Sequence, residues 1–391
     1  MVSNTSGLPL SSLEAFQVIK HISRRAVLRG AAALSALPQL LRAEGTASPG
    51  RIFDPKPGTW RNFEVVTTVQ LQDAAADATV WVPIPAVDTH WQRSLVSETS
   101  SNAPQTRIET DAKSGARFVV AQFESGAPVP SVQIISRVQT MDRAVDWHNP
   151  PEFTDNETAA TLKRWVRPTA LVPTDGIVRK TALQITQGAH TDVDKVHRIY
   201  DWIIVSTYRE PKVKGCGLGD IRWLLETGDL GGKCADINGL FVGLCRAAGV
   251  PARDAYGLRL APSAFGYKEL GGNSASLKSA QHCRSEVYLQ RYGWVAMDPA
   301  DVDKVMRQET SEWIKDAGHP LVVPVRRALF GGWEGNWMAY NNAVDVTLPG
   351  AAGSPLPFLM YPQAQSGAKH YDAYDPDNFK YTITAREIKV S

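Results

Sequence analysis

The stretch Gly231-Gly232-Lys233-Cys234-Ala235-Asp236-Ile237-Asn238-Gly239-Leu240-Phe241 constrains the fold more than any other part of the chain. Two glycines permit a sharp backbone turn. A helix is expected next, because Ile237, Leu240, Phe241, Leu244, Cys245 and Ala248 recur at i, i+3, i+4, i+7, i+8 and i+11. Gly249 stands where a C-terminal cap belongs, and Pro251 blocks continuation. Cys234 therefore falls at or next to the first helical residue. Free N–H groups and the positive dipole end favour an anion there. A thiol in that place ionises more readily, and the thiolate is the nucleophile. The competing reading is a small buried apolar residue, as free cysteines often are.

The totals narrow the classes. The chain has 391 residues and a net charge of +2, with 42 Lys+Arg against 40 Asp+Glu. No clustered basic excess points to nucleic acid or a membrane surface. Hydrophobic content of 43% and charged content of 21% are those of a globular protein. Four cysteines are too few to staple a fold of this size, so apolar packing must hold it.

The first segment reads as an address. Ser23-Arg24-Arg25-Ala26-Val27-Leu28 is a twin-arginine pattern, followed by the apolar run Gly30 to Leu37. That run is shorter than the roughly 20 residues a spanning helix needs. Residues 1–47 are expected to be a twin-arginine export signal, cut between Ala43 and Ala47. The mature chain would then be periplasmic or secreted, with no stable membrane insertion.

Residues 51–150 alternate like strands. Phe63–Leu71, Thr79–Pro83, Arg117–Phe123 and Val132–Gln139 are rich in β-branched residues and separated by Asp, Ser, Gly and Pro. This predicts a β-sandwich domain with a supporting role. His90 and His148 within it are expected at the surface or in packing.

Residues 151–310 are expected to form the domain that carries the chemistry. Thr191-Asp192-Val193-Asp194 resembles a capping box, and Val193, Val196, Ile199, Tyr200 and Ile203 give a helical stripe. His197 beside that stripe reads as a packed or half-exposed side chain. Gly215-Cys216-Gly217-Leu218-Gly219-Asp220 reads as a tight turn, since neither a Lys-Ser/Thr pair nor a βαβ unit accompanies it.

Gln281–Leu289 and Trp294–Pro299 are expected to pair as a hairpin. His282 and Asp298 are symmetric about Gln290 and should lie across from each other on one face. An aspartate beside an imidazole fixes its tautomer and stabilises its charged form. If His282 also faces Cys234, a nucleophile, base and orienting carboxylate are complete. Otherwise His282 is a strand histidine bonded to a neighbour. Glu286, on the face of His282 and Arg284, is expected in an ion pair.

Gly232-Lys233-Cys234, the helix running to Arg246-Ala247-Ala248-Gly249-Val250-Pro251-Ala252-Arg253, His282 to Tyr288, and Gly293-Trp294 to Asp298-Pro299 together resemble the transglutaminase-like superfamily. The match covers roughly residues 195–302. It implies an α+β fold: an N-terminal β-sandwich, then a papain-like core with the cysteine helix packed on an antiparallel sheet. It implies Cys234 as nucleophile, His282 as base and acid, and Asp298 as orienting carboxylate. Two features depart from the pattern, Arg284 in a place often aromatic and Cys283 directly after the histidine. For the oxyanion, the backbone N–H of Cys234 is one donor and Trp223 a candidate for the second.

The function expected is a cysteine-dependent enzyme acting on amide bonds of a peptide or protein, by hydrolysis. Acyl transfer to an amine shares every step up to the acceptor, and a non-catalytic envelope module is the reading from another class. No cofactor and no metal are expected. A zinc site of Cys216, Cys234, His282 and Cys283 is the metal alternative, against which no Cys-x-x-Cys pair occurs. Cys216 and Cys283 could pair as a disulfide after export. Cys245 lies about 16 Å along the helix from Cys234, too far for one. Residues 311–391 are expected to be a C-terminal extension packing on the core. Its Trp333 and Trp337 suit a substrate groove or ordinary docking, and Phe379–Thr384 suits a closing strand.

Overall fold

Alternation in the N-terminal third becomes sheet. Along the strand Arg61–Gln70, Phe63, Val65, Thr67 and Val69 are buried and the residues between them are not. This is the period of two that a half-buried strand requires. A computed structural model of the chain describes residues 51–389, apart from 73, 75, 127 and 151–156. The expected export signal lies outside the described residues.

Arg61–Gln70 is central in a four-stranded antiparallel sheet, in the order Lys380–Glu387, Arg61–Gln70, Ser131–Thr140, Gln92–Ser101. A five-stranded antiparallel sheet has the order Lys369–Tyr371, Gln363–Ser366, Ala78–Pro83, Arg117–Phe123, Gln105–Thr110. Val65 and Ile134 of the first share a hydrophobic cluster with Val80, Val119 and Ala121 of the second. The second sheet is buried on its other face too, where Trp81, Phe118 and Val120 meet Val346 and Leu359. Three strands of these sheets come from the C-terminal part of the chain. The segment 311–391 thus pairs into both N-terminal sheets as well as docking on the core.

The core is built around the helix Cys234–Ala247. Every one of its residues is buried, not only the stripe that periodicity marks. One face packs on an antiparallel sheet ordered Gly293–Met297, Gln281–Leu289, Ala252–Arg259, Trp337–Asn341. The other meets the helices Gly176–Ile185, Asp192–Ser206, Ile221–Thr227 and Pro299–Gln308. Leu240, Phe241 and Leu244 are wholly enclosed, and side chains of this kind contribute about 1.5–3 kcal/mol each. The helix stops as the sequence requires: Gly249 takes φ +87°, and its N–H donates to the Arg246 carbonyl. The Thr191 box is also present, with Thr191 Oγ1 and the Asp194 carboxylate each accepting the other's backbone N–H.

The hairpin register differs from the expected one. Ser285 pairs with Met297 and Leu289 with Gly293, so the axis passes through Arg291 instead of Gln290. The turn holds three residues and closes at Gly293, at φ +69°. The position opposite Asp298 therefore belongs to Arg284. His282 is its diagonal neighbour on the same face, still within reach of a long side chain.

Candidate active site

Cys234 is the first residue of the central helix and is 2% exposed. The turn before it is fixed by Asp236. That carboxylate accepts from the N–H groups of Lys233 (2.9 Å), Leu218 (3.0 Å) and Gly219 (2.8 Å). The glycine-rich loop is thus a cradle for an anion after all, and the anion is the protein's own. A side chain at Gly217 would strike the Asp236 carboxylate, and Gly217 takes φ +88°. The Ala235 N–H donates to the Cys216 carbonyl at 2.9 Å, so Cys216 is pinned beside Cys234.

His282 comes from the strand Gln281–Leu289, and its Nε2 lies 2.7 Å from Asp298 Oδ2. Asp298 caps the helix Pro299–Gln308, its Oδ1 accepting from the Asp301 N–H at 3.1 Å. The same Oδ1 accepts from Asn238 Nδ2 at 3.1 Å. Asn238 stands one turn after Cys234 on the same helix face. It also donates to the Cys283 carbonyl at 2.9 Å and accepts from the Ala300 N–H at 3.2 Å. One side chain thereby locks helix, strand and aspartate together.

The electrostatics favour charge separation. Burial alone would raise the Cys234 thiol. Hydrogen bonds from Cys216, Cys283 and His282, with the imidazole's charge, outweigh burial and hold it well below the usual thiol range. Cys216 and Cys283 are held well above that range, Cys216 chiefly by its contact with Cys234 and Cys283 chiefly by burial. Burial and Arg259 push the His282 imidazolium down, but Asp301 and Asp298 more than offset them, so its pKa is raised. Asp301 lies 3.4 Å from His282 Nε2 and binds Arg259 Nη2 at 2.5 Å. Despite burial, Arg259 and His282 hold it well below the carboxylate range. Arg284 Nε lies 3.5 Å from Asp298, and burial lowers its pKa to about 10. His282, Asp298 and Asp301 could offer donor atoms within 4.8 Å of one another to a cation, but two guanidinium groups already contact these carboxylates.

The transglutaminase-like superfamily model matches residues 179–299, which span the cysteine helix, the histidine strand and Asp298. The chain belongs to the transglutaminase-like superfamily. It is 32% identical over 325 residues to an uncharacterized protein of Haemophilus influenzae, covering 79% of this chain and 86% of that one. It is 31% identical over 150 residues to the uncharacterized protein YebA of Bacillus subtilis, covering 36% of this chain and 20% of that one. A solved structure of a cysteine-protease candidate from Cytophaga hutchinsonii has a TM-score of 0.52 at 15% identity, covering 86% of this chain and 93% of that one. At that identity the likeness shows the fold. Members of the superfamily are generally cysteine-dependent enzymes.

In this transglutaminase-like chain the other sequence-marked residues fall as follows. Trp223 is 54% exposed on the short helix Ile221–Thr227 and is not among the residues lining the cavity at Cys234. Trp333 and Trp337 are each 1% exposed. Trp337, in the edge strand of the sheet, donates from Nε1 to the His282 carbonyl at 2.9 Å, and Trp333 Nε1 donates to the Met297 carbonyl at 3.2 Å. Glu286 pairs with Arg143 and Arg253, both at 2.7 Å. The four cysteines are free and buried. His90, His148 and His197 are exposed. Sequence reading missed Asn238, Arg259 and Asp301. Asp301 carried a signal, an acid three residues after an N-cap; the other two gave none. Among the described residues no helix is long and apolar enough to cross a membrane.

Proposed function

We propose that the chain is an exported cysteine hydrolase acting on amide bonds, with Cys234 as nucleophile, His282 as base and acid, and Asp298 as orienting carboxylate. The observation that carries this is the 2.7 Å contact of His282 Nε2 with Asp298. It leaves the other ring nitrogen for the low-pKa thiol at a helix N-terminus. Asp301 and Arg259 act as positioning residues for the imidazole.

In the reaction, the Cys234 thiolate bonds to the carbonyl carbon. The carbonyl π electrons move to oxygen, where the Cys234 N–H, free of any intrahelical acceptor at that position, stabilises the oxyanion. The intermediate collapses and the C–N bond breaks, with His282 giving its proton to the leaving amine. Water then attacks the thioester and yields a proton to His282, and the thiolate departs. The two N-terminal sheets serve as a β-sandwich support for this papain-like core.

Peptide-amide turnover by the wild-type chain should vanish in Cys234→Ala. Alkylation of Cys234 by iodoacetamide at neutral pH should be faster than that of a free thiol and slow on His282→Ala. A Cys234 no more reactive than an ordinary thiol, and indifferent to His282→Ala, would overturn the reading.

A further inference from the structure

The cavity at Cys234 has a volume of about 660 Å³. Six of its lining side chains are lysine or arginine, and one, Glu269, is acidic. Part of this excess is internally matched. Arg259 binds Asp301, while Lys304 and Lys268 share Glu269 at 3.3 and 3.9 Å. Arg209, Lys233 and Lys278 have no carboxylate within ion-pair distance among the described residues. Arg209 Nε meets only the neutral Gln308 amide, at 3.2 Å. The Lys278 ammonium sits over the Tyr381 ring at 4.6 Å, with Asp377 and Asp375 acting on it from beyond contact.

Arg209 and Lys233 are placed together by the backbone. Arg209 pairs with Gly232, the residue before Lys233, in a short parallel ladder. Both are half-buried. Burial first, and then the charge of Arg209, hold the Lys233 ammonium below its usual range. Two cations side by side at a partly dry site repel each other, and an anion between them relieves both. Gln281, 7% exposed on the cavity wall, makes no hydrogen bond of good geometry with either amide atom, and the Tyr381 hydroxyl lies beside it. A buried amide of that kind, in contact only with a hydroxyl that can turn away, suits the N–H and C=O of an extended peptide.

We infer that the substrate is an acidic peptide, carrying a carboxylate next to the amide presented to Cys234 and gripped by Arg209 and Lys233, with Lys278 farther along the cleft. This rests on Cys234 being the nucleophile. It adds a selectivity that the nucleophile itself does not require.

The test separates binding from chemistry. Cys234→Ala protein is titrated with paired pools of N-acetylated hexapeptide amides that differ only in Glu or Gln at one position. At least one Glu pool should bind about tenfold tighter than its Gln partner, as expected for a charge-assisted contact. The preference should shrink on raising NaCl from about 50 to 300 mM. It should largely disappear in the added Arg209→Gln variant and partly survive in Arg209→Lys. With Cys234 intact, iodoacetate should gain on iodoacetamide relative to their rates with a free thiol, and Arg209→Gln should reverse the gain. Equal binding of every Glu and Gln pair, or an unchanged reagent ratio, would overturn the inference. A Glu preference without Cys234-dependent turnover would sustain the charge selection and count against the hydrolase reading.

Discussion

Replacing Asp298 by Asn tests the site most directly, because the carboxylate is held entirely by donors. Oδ1 accepts from Asn238 Nδ2 and the Asp301 N–H, both at 3.1 Å. Oδ2 accepts from His282 Nε2 at 2.7 Å, with Arg284 Nε at 3.5 Å. Three of these donors are hydrogen-bonded, Arg284 Nε being only in ion-pair range, and an amide has one oxygen and one NH₂ group, so neither orientation satisfies all three. If the oxygen faces His282, the NH₂ meets two donors. If the NH₂ faces His282, Nε2 must become an acceptor and the imidazolium is lost. One stranded buried donor costs about 1–3 kcal/mol. Loss of the charge leaves Arg284 and His282 partly uncompensated, which adds to that cost. A destabilisation of roughly 3 kcal/mol is expected from the urea midpoint. Turnover should fall about 10³- to 10⁴-fold through the wrong tautomer. Cys234 alkylation at pH 7, followed by peptide mapping to exclude the other three cysteines, should slow as well. An Asp298→Asn protein with an unchanged midpoint and an unchanged alkylation rate would refute this account of the site.

Four further outcomes are expected. The alkylation rate of Cys234 should rise at a pH well below that of an ordinary thiol, since its pKa is lowered; His282→Ala should move that rise upward, read from rate against pH. Asp303 is buried, and burial pushes its carboxyl up to about 8. The Thr207 hydroxyl donates to it at 2.5 Å and opposes that rise, but burial outweighs it. Because this folded pKa lies above the unfolded value near 3.9, its contribution is full below about pH 4 and lost as pH rises through 8. Asp303→Asn should therefore raise the urea midpoint at pH 8.5, by a margin that shrinks as pH approaches 4. Asn238→Ala should lower stability by about 1–3 kcal/mol, by stranding the Ala300 N–H and removing a donor from the Cys283 carbonyl and from Asp298 Oδ1, and should also slow Cys234 alkylation. Phe241→Ala, in the enclosed centre of the helix, should cost about 3–5 kcal/mol in the same urea titration.

Local signals were legible where the chain enforces them locally. The helix after Cys234 showed itself because its apolar residues must recur every 3.6 positions to be buried. Arg61–Gln70 and Ser131–Thr140 showed themselves because one face is wet. Gln92–Ser101 and Gln105–Thr110 did not, because their side chains are largely exposed or half-buried and leave no apolar alternation. The hairpin was visible from its strands, but its axis was misplaced by one residue, because Gly293 closes a three-residue turn.

The sequence by itself determined that Cys234 begins a helix, that His282 lies in a strand and that Asp298 stands at the end of the next strand, before Pro299; that Asp298 also caps a helix came from the structure. Each follows from spacing within a dozen residues, where the backbone has few conformations to choose from. Only the tertiary structure decided that Asn238, Arg259 and Asp301 surround the imidazole, that Arg209 stands beside Lys233, and that C-terminal strands pair with N-terminal ones. Those contacts join residues tens to hundreds of positions apart. They are selected by the burial of shared apolar faces and the pairing of buried charges, neither of which leaves a periodic mark in the chain.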